Sequence, residues 1–187
     1  VAFHVSGGTT EAVLCTPENG ICPKMERIAR SLDLKAGQAI DRVGLMLGLP
    51  FPAGPALEAL ARQSARRFSP RPCMKGSDCC LSGVENQCAQ MHQAGQAPAD
   101  IARFCLDSVC AALEGMLLAV RGRWPGIPLV FAGGVISDTI IREYFEAKYG
   151  ALFARPEYSA DNACGIAVLT GLSLSGQALP RSAAAAE

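Results

Sequence analysis

Three stretches of this chain carry residue types that can do chemistry. The first is Ser6-Gly7-Gly8-Thr9-Thr10, set between the apolar runs Val1-Ala2-Phe3 and Ala12-Val13-Leu14, which reads as strand, tight turn and strand. Adjacent glycines reach backbone angles closed to other residues and let a ligand approach the main chain, while the hydroxyls add short donors. Such a turn suits an oxygen-rich ligand such as phosphate, an acyl phosphate or ribose; a plain hairpin turn has the same composition. The second is Gly133-Gly134, which follows the apolar run Ile127 to Ala132 and precedes Asp138 and a helical pattern with Ile140, Ile141, Tyr144 and Phe145. A buried strand passing through glycines into a helix start gathers N–H groups and the positive end of the helix dipole, a favoured place for phosphate. Asp138 also reads as the cap of that helix. The third consists of two carboxylates. Asp41 falls on one helix face with Gly37, Gly44 and Gly48, a pattern that fits close approach of a backbone or ligand and an acid accepting bonds from ligand hydroxyls, or else a packed glycine face with the acid at its edge. Asp161 opens an Ala- and Gly-rich helix, as an N-cap or as a metal-binding carboxylate.

The elements that must position these groups follow in order. Pro17-Glu18-Asn19-Gly20 signals a turn, and Ile21 to Leu34 is ambiguous between a third strand and a short helix. Lys35 to Leu49 has helical periodicity, with Ala39, Ile40, Val43, Met46 and Leu47 on its apolar side. A rigid Pro50-Phe51-Pro52-Ala53-Gly54-Pro55 turn leads into a helix expected from Ala56 to Arg67, whose Arg62, Arg66 and Arg67 face outward as a solvated face or a basic patch. Lys75 to Gly83 reads as a short strand entering a turn, Val84 to Met91 as a helix, and His92 as a surface residue at its end. The longest helix spans Ile101 to Arg121 behind Pro98, and Ala151 to Ala154 is a short strand before the tightly packed small-residue helix Ala163 to Leu174. Strand-turn-strand, helices, strand-GG-helix and strand-loop-helix together predict an α/β lobe with its ligand-facing turns on one edge.

Composition excludes several classes of function. Half of the 187 residues are apolar, enough for a core, and Lys+Arg and Asp+Glu both number 17, so no global field draws nucleic acid or an anionic membrane. No apolar run approaches the roughly 20 residues that span a bilayer and no signal peptide opens the chain, which predicts a soluble, cytoplasmic protein. The nine cysteines are odd in number. Cys105, Cys110 and Cys164 lie in apolar helical patterns and read as core residues of a reducing compartment. Cys73, Cys79, Cys80 and Cys88 cluster without paired Cys-x-x-Cys spacing, so a disulfide or simple burial fits better than structural zinc.

The blocks HVSGGTTEAV, AGQAIDRVGLMLGLPFPAGPALEALA, LSGVEN, VFAGGVISDTIIRE and YSADNACGIAVLTG resemble, in order and spacing, the TsaD/Gcp family over roughly residues 1 to 175. That family comprises tRNA threonylcarbamoyladenosine transferases once described as O-sialoglycoprotein endopeptidases or glycoproteases. The resemblance implies an actin/Hsp70-like ATPase (ribonuclease H-like) lobe with a mixed sheet flanked by helices. Residues 1–175 would form the second, nucleotide-binding lobe and 176–187 a C-terminal tail; the chain starts without Met inside a strand, so an N-terminal lobe is expected upstream and the piece is expected to be inactive alone. Carried over by residue, ligand binding falls on Val5, Ser6, Gly7, Gly8 and Thr9, the nucleotide's ribose on Asp41, further ligand contact on Gly54 and Asp138, and metal ligation on Asp161. The implied ligand is ATP or a threonylcarbamoyl adenylate, the implied partner tRNA. The implied metal is a divalent ion such as Fe, Zn or Mg, in the full-length protein rather than here.

Departures from the family pattern point to a divergent paralogue. The family's His-x-x-x-His pair is absent, the only histidines being His4 and His92. Asp138 replaces an Asn, Ala53 a Gly, and Glu85 a Lys; both charge changes oppose an anionic ligand. No nucleophile and base pair and no His-Glu-x-x-His motif supports proteolysis, and no catalytic residue is assigned. A non-catalytic nucleotide- or partner-binding paralogue is the alternative to a transferase. A lobe without its neighbour would expose an apolar face and favour self-association, as a homodimer or with family-type protein partners.

Overall fold

The computed structural model describes residues 1–16, 23–155, 159 and 163–175. The segment Phe3 to Val13 folds as read: β1 (Ala2–Val5) and β2 (Thr10–Thr16) pair as an antiparallel hairpin. The ambiguous segment resolves as a strand, β3 (Lys24–Arg30), antiparallel to β2. On the other side of β1 lies β6 (Val130–Ala132), parallel to it, and beyond that β7 (Leu152–Phe153), parallel to β6. The mixed sheet thus has five strands in the order β3-β2-β1-β6-β7. The turn signal at 17–20 lies outside the described residues.

Helices flank this sheet. α1 (Ala36–Met46) starts after Lys35, whose N–H donates to Gln38 Oε1. It ends earlier than its periodicity suggests, because Gly48, with φ of +79°, turns the chain out of the helix. Gly48 is therefore a terminator and not part of the glycine face. α2 (Gly54–Ala61) starts with Pro55 in its first turn and stops well before the expected Arg67. Tertiary bonds hold the following residues out of the helix: Asp100 accepts from Ser64 Oγ at 2.6 Å, and Asp107 accepts from the Phe68 N–H at 2.9 Å. Arg62 pairs with Glu58 and Glu143 and Arg66 with Asp100, while the exposed Arg67 donates to the Arg66 carbonyl, so two of the three charges are already paired with acids.

Residues 73–80 form a two-strand hairpin, β4 (Cys73–Lys75) and β5 (Asp78–Cys80), where a single strand was expected. α3 (Ser82–Gln93) follows, with His92 exposed in its last turn, and then α4 (Pro98–Arg123). α4 is the core helix: Ile101, Leu106, Leu113, Met116 and Leu117 have no exposed surface. Phe131 of β6 stacks on Phe3 of β1 at 4.6 Å and contacts Phe145 at 5.0 Å and Phe153 at 5.3 Å. Each fully buried aromatic ring contributes about 1.5–3 kcal/mol. This ring stack fixes β6 beside β1 and α5 (Thr139–Tyr149) over it. α6 (Ala163–Ser175) departs from the tight packing its composition suggests, with Ile166, Val168 and Leu174 at 66, 60 and 86% exposure. Its apolar residues are spread round the helix, so no one face directs docking. No helix is long and apolar enough to cross a membrane among the described residues.

Candidate functional site

Because β1 and β6 run parallel, their C-terminal ends emerge side by side, and each ends in a glycine turn. The chain leaves β1 towards β2 on one side and leaves β6 towards α5 and β7 on the other. This is the arrangement that opens a crevice at the carboxyl ends of strands in α/β sheets. Gly133 makes the juxtaposition possible: its φ is +107°, and a Cβ there would lie 2.3 Å from the Val5 carbonyl oxygen. Side chains are excluded at this position by both conformation and space.

α1 docks on the first turn. Its Ala36 N–H donates to Thr10 Oγ1 at 2.9 Å and its Gly37 N–H to the Ser6 carbonyl at 3.2 Å. A Cβ on Gly37 would lie 2.6 Å from Gly7 Cα, so the close backbone approach suggested by the glycine face takes place here. Gly44, one helical stretch on, makes room for Ala53, whose Cβ a side chain at 44 would meet at 2.3 Å. Ala53 in turn donates its N–H to Asp41 Oδ1 at 2.8 Å, tying the 50–55 turn to α1. The alanine that replaces the family's glycine is thus accommodated by Gly44.

These elements enclose a cavity of about 570 Å³, walled by Gly7, Gly37, Ile40 and Asp41 on one side. Phe51, Pro52, Gly54, Pro55 and Glu58 form the second wall, and Gly134, Val135, Ser137 and Asp138 the third. Small-molecule sites occupy clefts of about 300–1,000 Å³. Of the sequence-nominated residues, the fold brings Gly7, Asp41, Gly54 and Asp138 to this cavity. Val5 is fully buried in the core behind it. Ser6 and Thr9 close the turn on themselves, Ser6 N–H donating to the Thr9 carbonyl at 2.7 Å and Thr9 N–H to Ser6 Oγ at 3.1 Å. Gly8 is exposed beyond the cavity wall, and Asp161 lies outside the described residues.

The phosphate site expected at the start of α5 is occupied by the protein's own carboxylates. A short 3₁₀ turn, Gly134–Ser137, separates the glycines from α5. Asp138 Oδ1 then accepts from the N–H groups of Ile140 and Ile141 at 2.9 and 3.1 Å, and Glu58 Oε1 accepts from the Thr139 N–H at 3.1 Å. Asp138 is only 9% exposed, and among the described residues its Oδ2 has no hydrogen-bond partner. Burial pushes its carboxyl up to about 6, the nearby Glu58 adding to the rise and the two capping N–H groups opposing it. Among the described residues, three acids and no Lys, Arg or His line the cavity. Glu85, the other departure, does not: it pairs with Arg42 at 3.0 Å on the outside of α1 and α3. Among the described residues no group of three or more His, Cys, Asp or Glu is placed to hold a metal ion.

Of the middle wall, sequence reasoning nominates only Gly54. Phe51, Pro52 and Pro55 were visible as a rigid turn but carried no sign of where it would pack, and Glu58 reads locally as an ordinary helix residue.

Residues 1–168 match the family described as TsaD: tRNA N6-adenosine threonylcarbamoyltransferase. The chain belongs to the TsaD family. Among solved structures, it is similar to the crystal structure of HypF from T. kodakarensis, with a TM-score of 0.52 and 19% sequence identity. That match covers 82% of this chain and 21% of the HypF chain, so the chain spans about a fifth of that protein's length. At this identity the likeness is one of fold. Membership gives the transferase and tRNA-modification sense of the family; what this TsaD-family domain itself binds rests on the cavity.

Proposed function

We propose that this domain is the nucleotide-binding lobe of a TsaD-type protein, of actin/Hsp70-like ATPase architecture, and that its cavity holds the nucleoside part of ATP or of a carbamoyl adenylate. The observation that carries this reading is the convergence of Gly7, Asp41, Gly54 and Asp138 on one cavity at the carboxyl ends of β1 and β6. Asp41 uses one oxygen on the Ala53 N–H and leaves the other to accept from ribose hydroxyls. Gly7 and Gly54 let a ligand approach backbone without side-chain obstruction. Ile40, Phe51 and Pro52 supply apolar surface for a base.

In the full-length protein this ligand would serve transfer of a threonylcarbamoyl group to N6 of a tRNA adenosine, with a divalent metal held by groups beyond those described here. The acidic wall favours a second reading beside it, a paralogue that keeps nucleoside recognition and has weakened or lost phosphate-dependent chemistry: Asp138 and Glu58 take the α5 N–H groups that a phosphate would use.

Photo-crosslinking with 8-azidoadenosine nucleotides tests the reading. The label is expected on the peptide containing Phe51 to Pro55, competed by unmodified nucleotide and lost in Asp41→Ala. Label elsewhere, or label indifferent to that substitution, would remove the assignment. Label that prefers adenosine over both the adenylate and ATP would select the second reading.

A further inference from the structure

The cysteine cluster takes no part in the cavity and has a geometry of its own. In the β4–β5 hairpin Cys73 stands directly opposite Cys80, and Met74 opposite Cys79. Alternation sends the second pair to one face, where Cys79 is fully buried and Met74 packs on α4 so closely that a Cβ on Gly115 would lie 2.6 Å from its sulfur. Cys73 and Cys80 share the other face, Cys73 exposed and Cys80 half-buried, and both line a cavity of about 50 Å³ with Pro72, Val84 and Gln87. Opposed residues of an antiparallel ladder have Cα atoms about 4.5–5.5 Å apart, inside the roughly 4.4–6.8 Å that a disulfide spans, and their Cβ atoms project to the same side. Cys79 faces away from Cys73, and Cys88 and Cys105 are buried, out of reach of a polar oxidant.

We propose that Cys73 and Cys80 are a reversible dithiol–disulfide pair, a covalent modification site that locks the β4–β5 hairpin. The oxidant class is a small disulfide such as oxidised glutathione. The thiolate of Cys73, the more accessible sulfur, attacks one sulfur of that disulfide and releases one glutathione thiolate, which takes up the proton Cys73 lost. The thiolate of Cys80 then attacks Cys73 Sγ, displacing the second glutathione, so two protein thiols are oxidised as one external disulfide is reduced. Burial, with the Asp33 carboxylate and Cys73 adding to it, holds the Cys80 thiol above its ordinary range, so the first attack falls to the exposed Cys73, and the second step is carried by the proximity of the two opposed cysteines. The lock acts next to the cavity's support: Leu81 and Ser82, which directly follow the hairpin, donate to Asp33 at 2.7 and 2.6 Å, and Asp33 lies in the loop that starts α1.

The test uses the whole folded chain, treated with oxidised glutathione, alkylated to block remaining thiols, and digested with trypsin. Cleavage after Lys75 separates Cys73 from Cys80, so a bridge joins peptide 68–75 to peptide 76–103. The expected product is that linked pair with fragment ions placing the bond on Cys80, a loss of about 2 Da from the intact reduced chain, and reversal by dithiothreitol. The link should vanish in Cys73→Ser and Cys80→Ser and persist in Cys79→Ala; should the last variant fail to fold, the fragment ions of the wild-type product decide between Cys79 and Cys80. Alkylated Cys73 and Cys80 after oxidation, or a bond to Cys79, would overturn the proposal.

Discussion

Replacing Asp138 with asparagine restores the residue type of the family pattern and removes the most costly charge at the site. Asp138 is 9% exposed, one of its oxygens is without a partner among the described residues, and burial pushes its carboxyl up to about 6 from an ordinary 3.8. The sign follows from linkage. A carboxyl whose folded-state value is raised keeps its proton in the native state after the unfolded chain has released it, so it favours folding at low pH and that contribution is lost as pH rises through the interval between the two values. At about pH 7.5 both states are ionised and the buried charge costs the native state about 3 kcal/mol. At about pH 5 the native carboxyl is mostly protonated, and the same relation returns about 1.4 kcal/mol of that. Asparagine keeps a carbonyl oxygen for the Ile140 and Ile141 N–H groups but buries an NH₂ with no partner, a penalty of about 1–3 kcal/mol that does not vary with pH. Asp138→Asn is therefore expected to lie at or above wild-type stability near neutrality. Its stability relative to wild type should fall by about 1.4 kcal/mol between about pH 7.5 and about pH 5. Urea unfolding followed by the fluorescence of Trp124, the single tryptophan, measures both chains at both pH values. Taking the difference between them cancels the other carboxylates. A difference that stays flat or moves the other way would refute the buried, partner-poor carboxylate.

Other substitutions separate backbone contacts from side-chain ones. Gly37→Ala places a Cβ 2.6 Å from Gly7 Cα and should cost about 1–3 kcal/mol or more in urea unfolding while displacing the turn from the cavity. Gly133→Ala combines a φ of +107° with a 2.3 Å approach to the Val5 oxygen, and should fail to accumulate as folded protein on gel filtration. Gly115→Ala meets the flexible end of Met74 instead, and the gain of about 1 kcal/mol in helix propensity offsets its rearrangement, so near-neutral stability is expected in the same assay. Asp41→Asn keeps an acceptor for the Ala53 N–H and should unfold like wild type, whereas Asp41→Ala leaves that N–H unpaired at a cost of about 1–3 kcal/mol.

Legibility in the sequence tracked the range of the interactions. The glycine turns, the β1–β2 hairpin and the Asp138 cap are local and were readable from a few adjacent residues. β3 was not, because most of it is exposed at the sheet edge and its apolar pattern is weak; pairing with β2 decides its conformation. The end of α2 was misread because Arg62 to Arg67 have helical propensity, and Asp100 and Asp107, far along the chain, hold the segment open. The partners of the α5 N–H groups were legible only in part for the same reason: Asp138 caps from within the segment, but Glu58 of α2 takes the Thr139 N–H across 81 residues of sequence. The cysteine cluster was visible as a composition, but only strand register singles out Cys73 and Cys80 within it.

The central claim is that the cavity at the carboxyl ends of β1 and β6 binds a nucleoside through Asp41. Calorimetric titration of adenosine, a non-hydrolysable acyl adenylate and ATP into the wild-type chain and Asp41→Asn tests it directly, since that variant keeps the Ala53 bond and alters only the ligand-facing acceptor. Saturable binding of at least one of these ligands to wild type, weakened about tenfold or more in the variant by loss of roughly 1.4 kcal/mol or more, is the predicted result. Equal affinity of the two proteins, or no binding to a folded wild-type chain, would contradict it.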